Sequence, residues 1–431
     1  MQKITLAVLI QAALISSVYA SEQSEAKGFV EGAEGSVLFR TGYLNRDKKH
    51  GLQNDTSSTA QTAIVKLDSG FTQGVVGFGA GVIGDASFKL GENKNAGNAM
   101  IPKHNDGSTY DHWARGGAYV KARVSNTTAV YGTQVLDLPV LASNTARLVP
   151  EYFEGLLVTS NEVEDLTLVA GKFTKNQYSD QINSDGNKLD SAIVWGAKYQ
   201  ANDDLNLAYY GTDLEDRLDR HYANVNYTHG LKNDASLNVD FSAYHTEWDK
   251  DANKYLYSQI GGADNDYQNS ILALATTYNK GPHNVMVAYQ QNMGNVGYDY
   301  GLGQNVADGH QSIYMPNSYL SDFIGNDEKS VQLQYSYDFG AMNVPGLSWT
   351  SAFVYGWDIK ATDNAGTMIS DDEQEREFFN QVKYTVQKGV MKDSSLRLRH
   401  SYYRASDNYQ SNYIGDTNEW RIWLDIPVKL F

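Results

Sequence analysis

From residue 35 onward the chain repeats one pattern: roughly ten residues of alternating polarity, then a run rich in Gly, Asn, Asp and Ser. Successive side chains of a strand point to opposite faces, so each segment splits by parity. Val331, Leu333, Tyr335, Tyr337 and Phe339 fall on one face, with Gln332, Gln334, Ser336 and Asp338 on the other. Leu237, Val239, Phe241 and Ala243 separate in the same way from Asn238, Asp240, Ser242 and Tyr244. Near the end, Trp420, Ile422, Leu424 and Ile426 separate from Glu419, Arg421, Trp423 and Asp425. Such a chain folds as sheet, either a large soluble β-protein or a barrel in a membrane. Other classes fall away on composition. The 30 Tyr, 14 Phe and 7 Trp are too many for a disordered chain, and the lack of Cys excludes a disulfide scaffold.

Several details favour the membrane barrel. Met1 to Ala20 has the layout of a secretory signal: a basic start at Lys3, an apolar stretch from Ile4 to Ile15 and the small-residue end Val18-Tyr19-Ala20. Cleavage would leave 21–431 as a single barrel domain beginning at Ser21. Tyr209, Tyr227, Trp349, Tyr355 and Trp420 cluster at segment ends, as interface girdles require. The chain also closes on an alternating strand ending in Phe431, a fitting signal for a barrel-assembly machinery. The expected fold is therefore all-β, a transmembrane antiparallel barrel in the outer membrane of a Gram-negative cell. Strands of about 9 to 11 residues use under half of the length even if eighteen are present, so long outer loops are expected, some folded into the lumen.

Asp68-Ser69-Gly70-Phe71-Thr72-Gln73-Gly74-Val75-Val76-Gly77-Phe78-Gly79 resembles the outer-membrane carboxylate channels, the OprD type of substrate-specific porin. The resemblance continues in order through Gly116-Gly117-Ala118-Tyr119-Val120-Lys121-Ala122-Arg123, Ala146-Arg147-Leu148-Val149-Pro150, Ser321-Asp322-Phe323, Leu396-Arg397-Leu398-Arg399 and Asn418-Glu419-Trp420-Arg421. It implies about eighteen strands and a lumen narrowed by an inward-folded loop carrying Arg147. It also implies passive, selective diffusion of small water-soluble carboxylates, such as amino acids and organic acids, along a basic ladder. Acidic and hydroxyl groups would stand opposite, here Ser321 and Asp322, with Tyr210 as a wall residue. Leu320 departs from the pattern, which places a Tyr there.

Parity alone reaches the same wall. Arg397 and Arg399 alternate with Leu396 and Leu398, and Arg421 lies opposite the apolar face of its segment. Lys383 alternates with Val382 and Tyr384, Lys121 and Arg123 with Val120 and Ala122, and Arg40 lies between Phe39 and Thr41. A charge on the lipid face near the midplane costs about 2–4 kcal/mol, so all seven are expected inside. The first and last strands must pair to close a barrel, which would gather Arg40, Arg397, Arg399 and Arg421 into one strip, and Arg147 would extend it. Arginine suits a carboxylate by its planar, bidentate donors. The alternative for each cation is a wall-stiffening pair with an acid.

No nucleophile and base pair or phosphate-binding loop stands out, and no cofactor, metal or nucleic acid is expected. His104 and His112 are read as loop residues. Asp371, Asp372, Glu373, Glu375 and Glu377, with Arg376, are read as a solvated outer loop that could bridge divalent cations or lipopolysaccharide. Two other functions stay open, a general diffusion porin and a surface-binding barrel with a plugged lumen. Monomer and loose trimer are both compatible with the sequence. The formal charge of -16 suggests a cationic partner, whereas the basic segments point to a carboxylate.

Overall fold

The computed structural model describes residues 21–49, 53–91, 94–186, 188–250, 266–300, 313–363, 365–410 and 413–431. The expected leader, 1–20, lies outside the described residues. The strands are β1 (Glu34–Lys48), β2 (Thr56–Asp68), β3 (Val76–Lys89), β4 (His112–Val124), β5 (Thr127–Gln134), β6 (Asp137–Leu138), β7 (Leu141–Ala142), β8 (Tyr152–Val163), β9 (Leu166–Gln177) and β10 (Ala192–Asn202). They continue as β11 (Leu205–Leu214), β12 (Leu218–Gly230), β13 (Ala235–Trp248), β14 (Tyr267–Lys280), β15 (His283–Gly294), β16 (Lys329–Asp338), β17 (Leu347–Thr362), β18 (Met368–Thr385), β19 (Ser395–Ala405) and β20 (Thr417–Lys429). All but β6 and β7 form one 18-stranded antiparallel sheet. It closes where β1 pairs with β20, Arg40 opposite Asp425 and Leu44 opposite Arg421. Closure leaves no sheet edge unpaired, which a hydrocarbon environment demands.

The alternation explains the wall. Val331, Leu333, Phe241, Trp420 and Leu424 are exposed to the outside, while Gln332, Ser242, Glu419, Arg421 and Trp423 are buried within. Tight connections lie at one end, such as Ser125-Asn126 between β4 and β5 and Gly281-Pro282 between β14 and β15. Gly281 adopts φ +53° there, a left-handed conformation that glycine takes without a Cβ clash. Long connections lie at the other end. The glycines of β3 allow close approach, since a Cβ on Gly77 would meet the Gln23 side chain and one on Gly79 would meet Lys121.

Several of the long connections pack inside the lumen. The hairpin β6–β7 joins Tyr298, Tyr300, Met315 and Ile324 from the β15–β16 connection, and together they bury against Tyr210, Tyr222 and Tyr244 of β11–β13. A second cluster seats Met100 and Ile101, from the β3–β4 connection, with Leu148 and Val149 against Leu44, Trp113 and Trp423. Each fully buried large apolar side chain contributes about 1.5–3 kcal/mol, so these segments form a packed core inside the barrel. Neither cluster draws on the inward residues of β18 or β19.

The acidic run is placed differently from the sequence reading. Glu373, Glu375 and Glu377 lie within β18 on its inward face, and all three are buried. Asp371 and Asp372 also lie within β18, both exposed; two adjacent acids read as a loop, but the i, i+2, i+4 spacing of the three glutamates is that of a strand. His104 is in a connection, stacked on Tyr110 with ring centroids 3.7 Å apart, whereas His112 opens β4.

A buried ion pair fixes two connections to the wall, that between β7 and β8 and that between β9 and β10. Arg115 meets Asp85 at 2.9 Å, both side chains fully inaccessible, and donates to the Tyr178 carbonyl at 2.5 Å and the Pro150 carbonyl at 2.7 Å. Arg115→Ala would strand Asp85 and two carbonyls. The expected loss is about 3–5 kcal/mol, read as a lower temperature for converting the folded barrel to its slower-migrating form on a gel. An unchanged conversion temperature would contradict it.

Candidate functional site: a basic strip across the closing strands

Four strands bring the cations together. On β18 and β19, Lys383 is the register partner of Arg397. On β19 and β20, Arg399 is the partner of Arg421 and Arg397 that of Trp423. Directly opposed like charges destabilise a sheet, and two such pairs follow in succession here.

The members differ in how they are held. Arg40 is bidentate to Asp425, at 2.7 and 3.0 Å, donates to the Arg147 carbonyl at 3.2 Å and lies over the Trp423 ring. Arg421 bonds Glu419, whose second oxygen accepts from Arg46 at 2.8 Å. Arg397 and Arg399, by contrast, have no carboxylate partner among the described residues; the Arg397 Nε is buried without a hydrogen bond, and Arg399 lies 4.9 Å over the Phe379 ring. Lys383 is exposed on the same inward face. Arg147 is buried on the inward connection between β7 and β8.

Lys121 and Arg123 stand apart, near the tight β4–β5 connection. Lys121 meets Asp68 at 2.7 Å and Arg123 reaches Gln23 at 3.1 Å and Glu22 at 3.4 Å, with both cations over Phe71. There Arg123 clamps the segment following residue 20 to the barrel mouth, and Lys121 fastens the β2–β3 connection at Asp68 and Ser69.

The β15–β16 connection lies within electrostatic reach of Arg147 and Arg421. Ser321 is fully buried; its hydroxyl donates to Glu375 at 2.9 Å and its amide to Glu377 at 3.0 Å. The inward glutamates of β18 thus hold this connection in place. Tyr210 packs into the apolar cluster behind β6–β7. Asp322 is half-buried and accepts from the Tyr300 and Ser318 hydroxyls.

Burial, and then the Glu377 and Glu375 carboxylates, push Asp322 up to about 7, against the pull of Arg147 and Arg421. As pH falls through that value the carboxyl gains a proton and the constriction loses a negative charge. Acidification from about pH 8 to about pH 6 is therefore expected to shift the reversal potential toward anion selectivity. Asp322→Asn should weaken the shift without removing it, since the Glu375 and Glu377 carboxyls stay beside the site, and a wild-type potential independent of pH would refute it.

The profile of the outer membrane porin, OprD family, matches residues 27–430. The chain belongs to the OprD family. Porin D of Pseudomonas aeruginosa is 34% identical, over 96% of this chain and 95% of that protein. The porin-like protein GalP of Pseudomonas putida is 30% identical over 95% of each. The crystal structure of Acinetobacter baumannii OccAB1 superposes with a TM-score of 0.91 at 66% identity, covering 95% of this chain and all of that one. As an OprD-family porin the chain is an outer-membrane channel for small solutes, and the relatives it matches are porins rather than enzymes. Sequence reasoning did not single out Arg115 or Arg220, the buried cations that fix the inward connections. Their signal was a lone Arg inside a strand segment, which parity places in the lumen without revealing its contacts.

Proposed function

We propose that this porin selectively passes small water-soluble solutes bearing a carboxylate. Arg421, Arg399, Arg397 and Lys383, in that order from the long connections toward the tight ones and flanked by Arg40 and Arg147, pass the carboxylate along the wall, while Asp322 receives the positive end of a zwitterion. The observation carrying this reading is the pair of inward guanidinium groups, Arg397 and Arg399, with no acid partner among the described residues. Neighbouring sites of similar strength let an anion move on without a deep well, which conduction requires. A related channel supports the solute class: OpdK of Pseudomonas aeruginosa, 25% identical with a TM-score of 0.80, was crystallised with vanillate, an aromatic carboxylate.

Liposome swelling with basic amino acids, aromatic acids and neutral sugars tests the proposal. Carboxylates should enter faster than sugars of equal mass, with rates that saturate. Rates that track molecular mass alone would identify a general diffusion porin instead.

A further inference from the structure

The outer surface carries a second arginine pair. The parity that turns Glu375, Glu377 and Tyr403 into the barrel turns Arg376, Phe378, Tyr402 and Arg404 outward. Arg376 and Arg404 are direct register partners, and Tyr355 of β17 continues the same row beside Arg376. The next outward row toward the tight connections is Phe353, Phe378 and Tyr402, 46%, 47% and 41% exposed. The arginines therefore sit just above the apolar band, on the side of the long connections, where hydrocarbon gives way to headgroups.

Arg404 is held flat against the wall. It lies 3.8 Å over the Tyr402 ring, donates to the Tyr403 carbonyl at 2.6 Å and Asn418 Oδ1 at 3.0 Å, and lies 3.7 Å from Asp416. Arg376 is exposed, with no acid partner among the described residues. Asp416 already balances Arg404, so the uncompensated charge of the row is that of Arg376, which draws a further anion to the pair. At this height the anions are phosphates on lipid headgroups, which arginine engages through paired, planar donors. Flanking Tyr355 and Tyr402 supply the amphipathic rings that favour the same depth. Farther round the barrel the charge is reversed: Asp213, Asp219 and Glu247 form one outward register row on β11–β13.

We propose that Arg376 and Arg404 form a binding site for the phosphate of an outer-leaflet glycolipid headgroup. The test is native mass spectrometry of the full-length mature barrel with bis-phosphorylated lipid A. The wild type should retain lipid A, and Arg376→Gln with Arg404→Gln should weaken retention about tenfold, the loss expected for charged hydrogen bonds. Gel mobility reports whether the variant is folded. If it is not, wild-type protein with chemically dephosphorylated lipid A gives the same comparison, and retention should fall likewise. Inorganic phosphate at millimolar concentration should leave lipid A bound. The proposal fails if the folded variant or the dephosphorylated lipid binds as well as the reference, or if inorganic phosphate displaces the lipid. It also fails if the species retained through this face is a second copy of the chain, docked by its acidic row.

Discussion

Replacing Arg397 and Arg399 together by alanine is expected to slow the flux of a carboxylate solute about tenfold or more, because a hydrogen bond to a charged group is worth about 1.5–3 kcal/mol. The flux of a neutral sugar of similar size should hold or rise slightly as the lumen widens. These two rungs separate capture from architecture. Arg40→Ala would leave Asp425 without its bidentate partner and add a negative charge to the wall. Arg421→Ala would leave Glu419 with Arg46. Both would perturb transport for reasons unrelated to solute binding. Arg397 and Arg399 hold no carboxylate among the described residues, so their loss strands no acid. Replacing both by lysine keeps the charge and discards the planar fork, and should give an intermediate flux. Liposome swelling with the two solutes side by side provides the measurement. An equal fall for carboxylate and sugar would refute guided transport and point to a narrowed or misfolded pore.

The alternation placed Leu396, Leu398, Trp420 and Leu424 outside and Arg397, Arg399 and Arg421 inside, because a strand's geometry leaves two choices and the membrane penalises one of them. The barrel's closure also followed from sequence, since the first and last strands had to meet. What parity could not convey was pairing along the inner face. Lys121 and Arg123 read like rungs, yet Asp68, Gln23 and Glu22 reach them from segments far away in sequence. Ser321 read as a pore hydroxyl, but its partner Glu375 lies on a strand whose acids looked like a loop. The packing of Met100, Tyr298 and Met315 inside the lumen was equally hidden, since apolar residues in long connections carry no periodic signal. Sequence thus records the face of each wall residue, while the contacts of inward connections depend on which distant segments meet there.

Arg220→Leu is expected to raise single-channel conductance in a planar bilayer and to make the current fluctuate. Arg220 is buried on β12, with its Nε on Thr246 Oγ1 at 2.9 Å, one terminal nitrogen on the Tyr300 carbonyl at 3.2 Å and the other on the Asp299 carbonyl. Its guanidinium lies 4.2 Å over the Tyr298 ring. One side chain therefore fastens the first part of the β15–β16 connection, and Tyr300 in turn donates to Asp322 at the constriction. Leucine keeps apolar volume but supplies none of the donors. Each lost charged hydrogen bond weakens the attachment by about 1.5–3 kcal/mol, and the freed carbonyls gain by moving into water. The apolar cluster around Tyr244 and Met315 resists that movement, so partial, reversible release should dominate over unfolding. Steady conductance at the wild-type level would show that the apolar cluster alone holds the connection. A fall in conductance would mean that the released segment blocks the passage instead of leaving it.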